Sequence, residues 1–289
     1  MTIRKFARVV CLLGAIFTLT ACGQKTTDPT PKTITGPIDL VTRDEGSGTR
    51  AAFNEMLGIT TNGIDNTTPA AIVQNGTDQV MTLVEEDAGA IGYISLGSLN
   101  STVKAMKVDH VAPTEDNIVN GTYKLYRPFI IVTNKNKSLS AVAEDFINFI
   151  LSRDGQQVVR EGGYVPIQTD KSYQSQSLSG NINISGSTSV GPVMEKLAEA
   201  YERQNPQVTI NITQNGSSAG IQAARQGSSD FGMSSRELTD SEQDVSETVI
   251  ANDGIVVIAS KANAADDISS EALKQIYLGN VKNWEDIKS

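Results

Sequence analysis

Cysteine is almost absent from this chain, with only two residues among 289. Cys11 and Cys22 both lie near the N-terminus, within or directly after an apolar stretch. The rest of the chain has no thiol, so it can form neither disulfides nor cysteine-based metal sites. The fold must depend on its packed core, and this length suffices for one large or two ordinary domains.

Histidine is rarer still, since His110 is the only one, in the polar segment KVDHVAP. A Ser-His-Asp hydrolase would have to recruit this residue. The sequence has no Walker A loop and no cluster of metal ligands. Residues 101–104 fit the S-x-x-K pattern, but no S-D-N or K-T-G accompanies them, so chance explains the match better. We therefore predict a binding protein without catalytic residues, cofactor or metal, and not an enzyme.

Positive charge is also scarce, with 24 basic against 33 acidic residues and a formal charge of −9. Residues 1–21 hold three of the basic residues and no acid, so the chain without them carries a charge of −12. A nucleic-acid-binding protein needs a basic face. The composition therefore argues against a nucleic-acid partner.

The N-terminus has the pattern of an export signal. A basic segment, MTIRKFAR, precedes an apolar stretch that is too short to span a membrane. The run that ends at Cys22 resembles a lipoprotein signal, which predicts cleavage after residue 21 and a lipid on Cys22. The alternatives are an ordinary cleaved signal or an N-terminal anchor. Residues 22–36 are polar and rich in Thr and Pro, which predicts a flexible tether that holds the protein at the extracytoplasmic face of the cell membrane.

From Ile38 onward, short apolar runs alternate with helical patterns, which is typical of α/β architecture. The predicted strands are 38–42, 90–96, 125–134, 181–185, 208–213, 230–234 and 255–260. The predicted helices are 49–57, 78–87, 140–152, 191–206, 217–227 and 269–280. Residues 168–180 are polar without an apolar period, which predicts a connection.

Three turns between a strand and a helix share one composition: residues 45–49 (EGSGT), 185–189 (SGSTS) and 215–220 (NGSSAG). Each combines glycine, which lets backbone N–H groups approach a ligand, with hydroxyls at a helix start. A helix N-terminus presents free N–H donors and the positive end of the macrodipole, which favours an anion. One such turn is usually an ordinary helix cap, whereas three in one chain favour an anion site over three ordinary caps.

Arg43 lies directly before the first of these turns. A guanidinium can bind two oxygens of a tetrahedral oxyanion at once. Alternatively, Arg43 is a surface residue paired with Asp44 or Glu45. The two interpretations are compatible, because an acid can hold the guanidinium in position for a ligand.

The segments ISGSTSVGPVMEKLAEAY, NGSSAGIQAARQGSSDFGMSSREL and VTRDEGSGTR together resemble the phosphate-binding proteins of phosphate ABC transporters. The resemblance extends from Pro37 to Ser289. It implies a two-lobe α/β fold of the type II periplasmic-binding-protein kind, with two hinge strands and phosphate in the cleft between the lobes. It also implies a monomer that delivers inorganic phosphate to a membrane permease.

The resemblance assigns roles to individual residues. The phosphate ligands it implies are Thr188, Ser189, Ser217, Ser235, Arg43, Ser47, Gly48 and Thr49. Glu45 matches the acid that orients the arginine. Ser235 stands where some members have an Asp that accepts the proton of phosphate, which puts selectivity against sulfate in doubt. The acceptor here could be Glu45 or a hydroxyl, and Arg236 could add charge or lie on the surface.

The order of the segments differs from the usual one. In most members the GSTS turn opens the mature chain and the SGTR turn lies near the middle, whereas here the order is reversed. This predicts a circular permutation, with a truncated tandem fusion as the alternative. One lobe would comprise 37–125 with 257–289 and the other 126–256, with 125–134 and 254–260 containing the hinge strands. Two alternative functions stay open: binding of another oxyanion such as sulfate or molybdate, and a surface adhesin or scaffold.

Overall fold

The computed structural model describes residues 31–287. The predicted signal segment, Cys22 and the first part of the tether lie outside these residues. Within the described range, no helix is both long and apolar enough to cross a membrane.

The strands and helices of the described chain alternate along most of its length. The strands are β1 (Asp39–Arg43), β2 (Thr60–Thr61), β3 (Ile64–Asp65), β4 (Ile72–Gln74), β5 (Ala90–Ser95), β6 (Val103–Ala105), β7 (Lys107–Val108), β8 (Tyr126–Asn134), β9 (Val165–Pro166), β10 (Gly180–Gly186), β11 (Val208–Gln214), β12 (Phe231–Ser234), β13 (Val245–Ser260) and β14 (Asp267–Ile268). The α-helices are α1 (Gly48–Met56), α2 (Thr77–Glu86), α3 (Glu115–Val119), α4 (Ala141–Ile150), α5 (Arg153–Glu161), α6 (Gly191–Gln204), α7 (Ser217–Gln226) and α8 (Ser270–Tyr277). Single 3₁₀ turns occur at Leu96–Ser98, Asp240–Glu242 and Trp284–Asp286.

The α/β prediction is confirmed, and each predicted strand and helix has a counterpart that overlaps it. Helix α5 was missed because its sequence, RDGQQVVRE, has only two apolar side chains, and the face that it buries consists of Gly155, Gln156 and Val159. It begins at a capping residue instead, since the Ser152 hydroxyl accepts a hydrogen bond from the Gly155 N–H at 3.2 Å. Strand β13 is much longer than the predicted 255–260, because its first half mixes polar and apolar residues.

The main sheet runs in the order β11-β10-β12-β8-β13-β5-β1-β4. The outer strands pair in parallel on both sides, β10 with β11 and β12, and β1 with β4 and β5. The long strands β8 and β13 lie antiparallel at the centre. Because the carboxyl ends of neighbouring parallel strands lie at one edge, the turns that follow β10 and β11 are brought together, as are those after β1 and β4.

Separate apolar clusters pack on the two halves of this sheet. The clusters of one half draw their residues from 129–251, with rings such as Phe146 and Tyr201. Those of the other half draw on 40–125 and 255–284, with Phe53 and Tyr93 stacked at 4.1 Å. Val165 is the exception, because it packs in the second set although its neighbours in sequence belong to the first. Apolar residues cover both faces of each half, as expected for strands with helices on both sides.

A buried ion pair joins the two central strands. Arg127 on β8 and Asp253 on β13 are cross-strand neighbours, and Nη2 of the arginine lies 3.0 Å from Oδ2 of the aspartate. The Ser95 hydroxyl donates to the same carboxylate at 2.8 Å. Both charged side chains are almost fully excluded from solvent. The carboxylate is thus held by two donors in a region where an unpaired charge is costly.

The first described residues pack against the rest of the chain, although 22–36 were predicted to be a tether. The Lys32 N–H donates to the Ala262 carbonyl at 2.9 Å, and the backbone N–H of Trp284 donates to the Gly36 carbonyl at 2.9 Å. The Ile38 N–H reaches the Lys282 carbonyl at 2.8 Å. The tether prediction is therefore wrong for residues 32–36, because backbone hydrogen bonds with residues near the C-terminal end outweigh their polar composition. Packing begins before the predicted boundary at Pro37.

Candidate anion site

The structure brings the three predicted turns together at one place. Thr49, at the start of α1, has its hydroxyl 2.9 Å from that of Ser189, before α6. The Ser218 N–H, at the start of α7, donates to the Gly46 carbonyl at 3.2 Å. These contacts join turns that are about 140 and 170 residues apart in the sequence, as the resemblance implies.

Seven hydroxyl groups meet where these turns converge, and we call them the hydroxyl cluster. Its members are Thr49, Thr77, Ser187, Thr188, Ser189, Ser217 and Ser235. The Ser187 hydroxyl donates to Ser235 at 2.9 Å, and the Ser217 and Ser235 oxygens are 3.4 Å apart. All seven side chains are buried except Thr188, which is half-buried. A hydroxyl can both donate and accept, so the cluster can adapt its hydrogen bonds to an anion in either protonation state.

Arg43 borders the cluster and is held on several sides. Its Nε donates to the Gln74 carbonyl at 3.1 Å, and its Nη2 donates to the Asn75 carbonyl and to the Thr188 hydroxyl, each at 3.1 Å. The side chain is only 3% exposed. Burial lowers the pKa of the Arg43 guanidinium, and the nearby Asp44 carboxylate opposes this shift. Arginine is not deprotonated in proteins, so the side chain brings a positive charge to the cluster.

The acid beside Arg43 is Asp44, whose Oδ1 lies 3.3 Å from Nη2. Glu45 was predicted to orient the arginine, and this prediction is wrong in the structure. The Glu45 side chain is exposed and lines a cavity of about 1230 Å³ outside the hydroxyl cluster. The turn directs these two consecutive side chains to different places, a distinction that the motif alone does not reveal.

Ser47 and Gly48 start helix α1 at the edge of the cluster. The Ser47 hydroxyl accepts from the Arg50 N–H at 3.4 Å and so acts as the helix cap. A Cβ atom on Gly48 would lie 2.4 Å from the Ser217 oxygen and 2.8 Å from that of Ser235. Only glycine lets the backbone of α1 come this close to the opposite turn.

Arg236 is occupied outside the cluster. It forms a bidentate pair with Glu242, with nitrogen–oxygen distances of 2.7 and 2.8 Å. Burial alone would raise the pKa of Glu242, but hydrogen bonds from Arg236 and from the Thr239 N–H lower it to about 2. The Arg236 guanidinium therefore binds the Glu242 carboxylate and does not contact the hydroxyl cluster.

This pair predicts a pH-dependent contribution to stability. The folded pKa of Glu242 lies below its value in an unfolded chain, so its stabilising effect is complete above about pH 4.5 and disappears as the pH falls through about 2. We expect Glu242→Gln to lower the melting temperature at pH 7 and to differ little from wild type near pH 2. Calorimetric scans of both proteins across this range test it, and a constant difference at every pH would contradict it.

Two buried members of the cluster, Thr77 and Ser187, were not among the predicted ligands. The Thr77 oxygen lies 3.3 Å from that of Thr188 and 3.4 Å from that of Ser189. A sequence signal for Thr77 exists, because residues 74–77 read QNGT and residues 214–217 read QNGS. Ser187 lies inside the SGSTS turn, where its hydroxyl accepts from the Ser189 N–H at 3.2 Å.

The site therefore combines one guanidinium, several hydroxyls and the N-terminal ends of α1, α2 and α7. Gly76 and Gly216 are the N-cap residues of α2 and α7, so neither helix has a side-chain cap. Their first N–H groups contribute partial positive charge at the cluster. Such an arrangement can bind a tetrahedral oxyanion by charge-assisted hydrogen bonds.

Comparison with known proteins is consistent with this geometry. The model of the PBP superfamily domain matches residues 20–154 and 171–289. The phosphate-binding protein PstS 2 of Streptococcus pneumoniae is 43% identical over 294 residues, which cover 100% of both chains. The chain belongs to the PstS family of phosphate-binding proteins.

A solved structure of this family also resembles the described fold. The crystal structure of a phosphate-binding protein of a phosphate ABC transporter from Streptococcus pneumoniae has a TM-score of 0.70 and 47% identity, and the match covers 88% of this chain and 100% of that one. The fold is thus of the two-lobe periplasmic-binding-protein type. A more distant family member, PstS of Staphylococcus saprophyticus, is 34% identical over 117 residues, or 37% of each chain.

Proposed function

We propose that this chain captures inorganic phosphate outside the cytoplasm and delivers it to the permease of a phosphate ABC transporter. The observation that carries the proposal is the buried Arg43, whose guanidinium contacts Thr188 at the edge of the hydroxyl cluster. A buried guanidinium with hydroxyl donors around it is suited to a small, multiply charged oxyanion. The names of the full-length relatives support phosphate as that anion.

Phosphate would take the place of contacts that the hydroxyls now make with one another. Thr49 and Ser189 are 2.9 Å apart, so an anion between them requires their turns to separate. We propose that residues 37–125 with 257–289 form one lobe and 126–256 the other, and that β8 and β13 bend between them. The division of the apolar clusters along the same lines supports such a motion. The ligands would be those the resemblance implies, with Asp44 rather than Glu45 orienting Arg43.

The location of the protein and its lack of turnover are proposed together with its ligand. We propose that Cys22 carries a lipid that anchors a monomer at the extracytoplasmic face of the cell membrane, and that the chain binds and releases phosphate without catalysis. The crystal structure of a phosphate-binding protein of a phosphate ABC transporter, to which this chain is similar, supports a place outside the cytoplasm. The scarcity of histidine supports binding without catalysis, because the exposed His110 is the only imidazole and the clustered serines have none to act as their general base.

We also propose that the chain is a circular permutant of the usual family order. Its first packed residues lie beside its last ones, as in the contact between Ile38 and Lys282. Because these two ends are adjacent, a chain of the usual order could run continuously through this place and have its ends elsewhere. A linear comparison with a member of ordinary order would align only part of each chain, which agrees with the 37% coverage of the staphylococcal relative.

A broader oxyanion specificity is the second candidate, and Ser235 favours it. Its buried hydroxyl can donate to a fully ionised sulfate, whereas a carboxylate at the same position would repel it. We expect Ser235→Asp to raise the ratio of phosphate to sulfate affinity about tenfold or more at pH 7, chiefly by weakening sulfate. Titration calorimetry of both anions measures the ratio. Ser235→Asn is the control, because Asn has the size of Asp without its charge. An equal rise of the affinity ratio in both variants would contradict the explanation by charge.

Titration calorimetry of the purified protein with phosphate, sulfate and arsenate tests the proposed function. We expect one phosphate per chain, with arsenate as a competitor because of its similar shape and charge. Binding of sulfate without phosphate would indicate a different oxyanion transporter. Heat from none of the three would indicate a scaffold or adhesin that keeps only the fold.

A further inference from the structure

We infer that Thr77, at the first turn of helix α2, is an additional ligand of the bound anion, so that four turns rather than three contact it. This inference rests on the proposed function, and it concerns a residue outside the three motifs that carry the family resemblance. It adds a direct hydrogen bond from a segment, residues 74–77, that already holds Arg43.

Thr77 lies beside two other members of the hydroxyl cluster. Its side chain is buried, with 4% exposure, and its oxygen lies within 3.4 Å of two cluster hydroxyls, those of Thr188 and Ser189. Arg43 contacts the same Thr188 oxygen at 3.1 Å. An anion that engages both Arg43 and Thr188 is therefore within reach of the Thr77 hydroxyl.

The segment that carries Thr77 is hydrogen-bonded to Arg43. The carbonyls of Gln74 and Asn75 accept from Nε and Nη2 of Arg43, each at 3.1 Å. These two bonds fix the start of α2 relative to the guanidinium. Thr77 is thereby held at a set distance from the charge that would bind the anion.

The two QNG segments, residues 74–76 and 214–216, correspond in sequence and in their place in the sheet. Strands β4 and β11 are the outermost strands at opposite ends of the sheet, each parallel to its neighbour. Each leads through Gln-Asn-Gly into a helix without a side-chain cap, whose first residue is a buried hydroxyl, Thr77 or Ser217. The same local sequence at equivalent places of the two halves supports the same role.

The hydroxyls of the cluster can donate hydrogen bonds to one anion together. Thr77 can donate its single proton to an anion oxygen and leave Thr188 and Ser189 free to donate theirs. All three would then point protons at the same charge, which neutral hydroxyls can do without mutual repulsion. The uncapped N–H groups at the start of α2 favour the anion at this point as well.

The test compares Thr77→Val with Thr82→Val by phosphate titration calorimetry. Thr82 lies on the same helix, is exposed, and donates only to the Asp78 carbonyl. We expect Thr77→Val to weaken phosphate binding about tenfold or more, as for loss of a hydrogen bond to a charged group. Thr77→Ser keeps the hydroxyl and should stay within about threefold of wild type, as should Thr82→Val.

The outcomes separate this inference from the function on which it rests. If wild type and Thr82→Val bind phosphate and a folded Thr77→Val binds within a factor of two, Thr77 is not a ligand. If wild type binds no phosphate, the proposed function and this role both fail. Melting curves establish folding, and Thr77→Ala provides the same comparison if the valine variant does not fold.

Discussion

Arg43→Ala is expected to lower phosphate affinity about a hundredfold or more. The substitution removes the one guanidinium at the hydroxyl cluster, which can form two charge-assisted hydrogen bonds with the anion. A single hydrogen bond to a charged group is typically worth roughly 1.5–3 kcal/mol, and two of them account for the expected loss. Titration calorimetry with phosphate measures the effect directly.

Two further variants show whether charge or geometry is responsible. Arg43→Lys keeps the charge but not the fork, so its affinity should lie between those of wild type and Arg43→Ala. Arg225→Ala removes an arginine whose partner is Asp244, away from the cluster, and should bind like wild type. An affinity of Arg43→Ala within about a factor of two of wild type would show that Arg43 does not bind the anion.

Asp253→Ala is expected to lower the free energy of unfolding by about 3–5 kcal/mol. It leaves the guanidinium of Arg127 buried between β8 and β13 without its counter-charge, and an uncompensated buried charge has a cost of this size. Urea unfolding at pH 7 measures the loss. Asp244→Ala breaks a pair whose aspartate is 57% exposed, and should change the free energy by less than about 1 kcal/mol.

The double variant Arg127→Met/Asp253→Leu distinguishes the charge from other effects of the substitution. Replacing both partners by apolar side chains removes the unpaired charge, so most of the lost stability should return. A double variant no more stable than Asp253→Ala would contradict this explanation.

The sequence predicted the principal elements and the three turns because their signals are local. Glycine and hydroxyl residues before a periodic apolar stretch identify a helix start without reference to the rest of the chain. Helix α5 has only two apolar residues and β4 has only three residues in all, so neither element was predicted. Strand β4 positions Thr77, which is why the fourth turn was missed although QNGT repeats QNGS.

Features that depend on long-range contacts could not be predicted. Arg127 and Asp253 are neighbours only because β8 and β13 pair in one register, and no local pattern specifies that register. The choice between Asp44 and Glu45 depends on which way a turn directs consecutive side chains. The resemblance named Glu45, and the backbone of this chain directs Asp44 to the arginine instead.

The central claim is that an anion binds where Arg43 meets the hydroxyl cluster. A crystal structure of the protein grown with phosphate tests it most directly. We predict tetrahedral density within hydrogen-bonding distance of the Arg43 guanidinium and of hydroxyls from both halves of the sheet, including Ser189 and Thr49. Phosphate bound elsewhere, with the contacts of Arg43 unchanged, would contradict the claim.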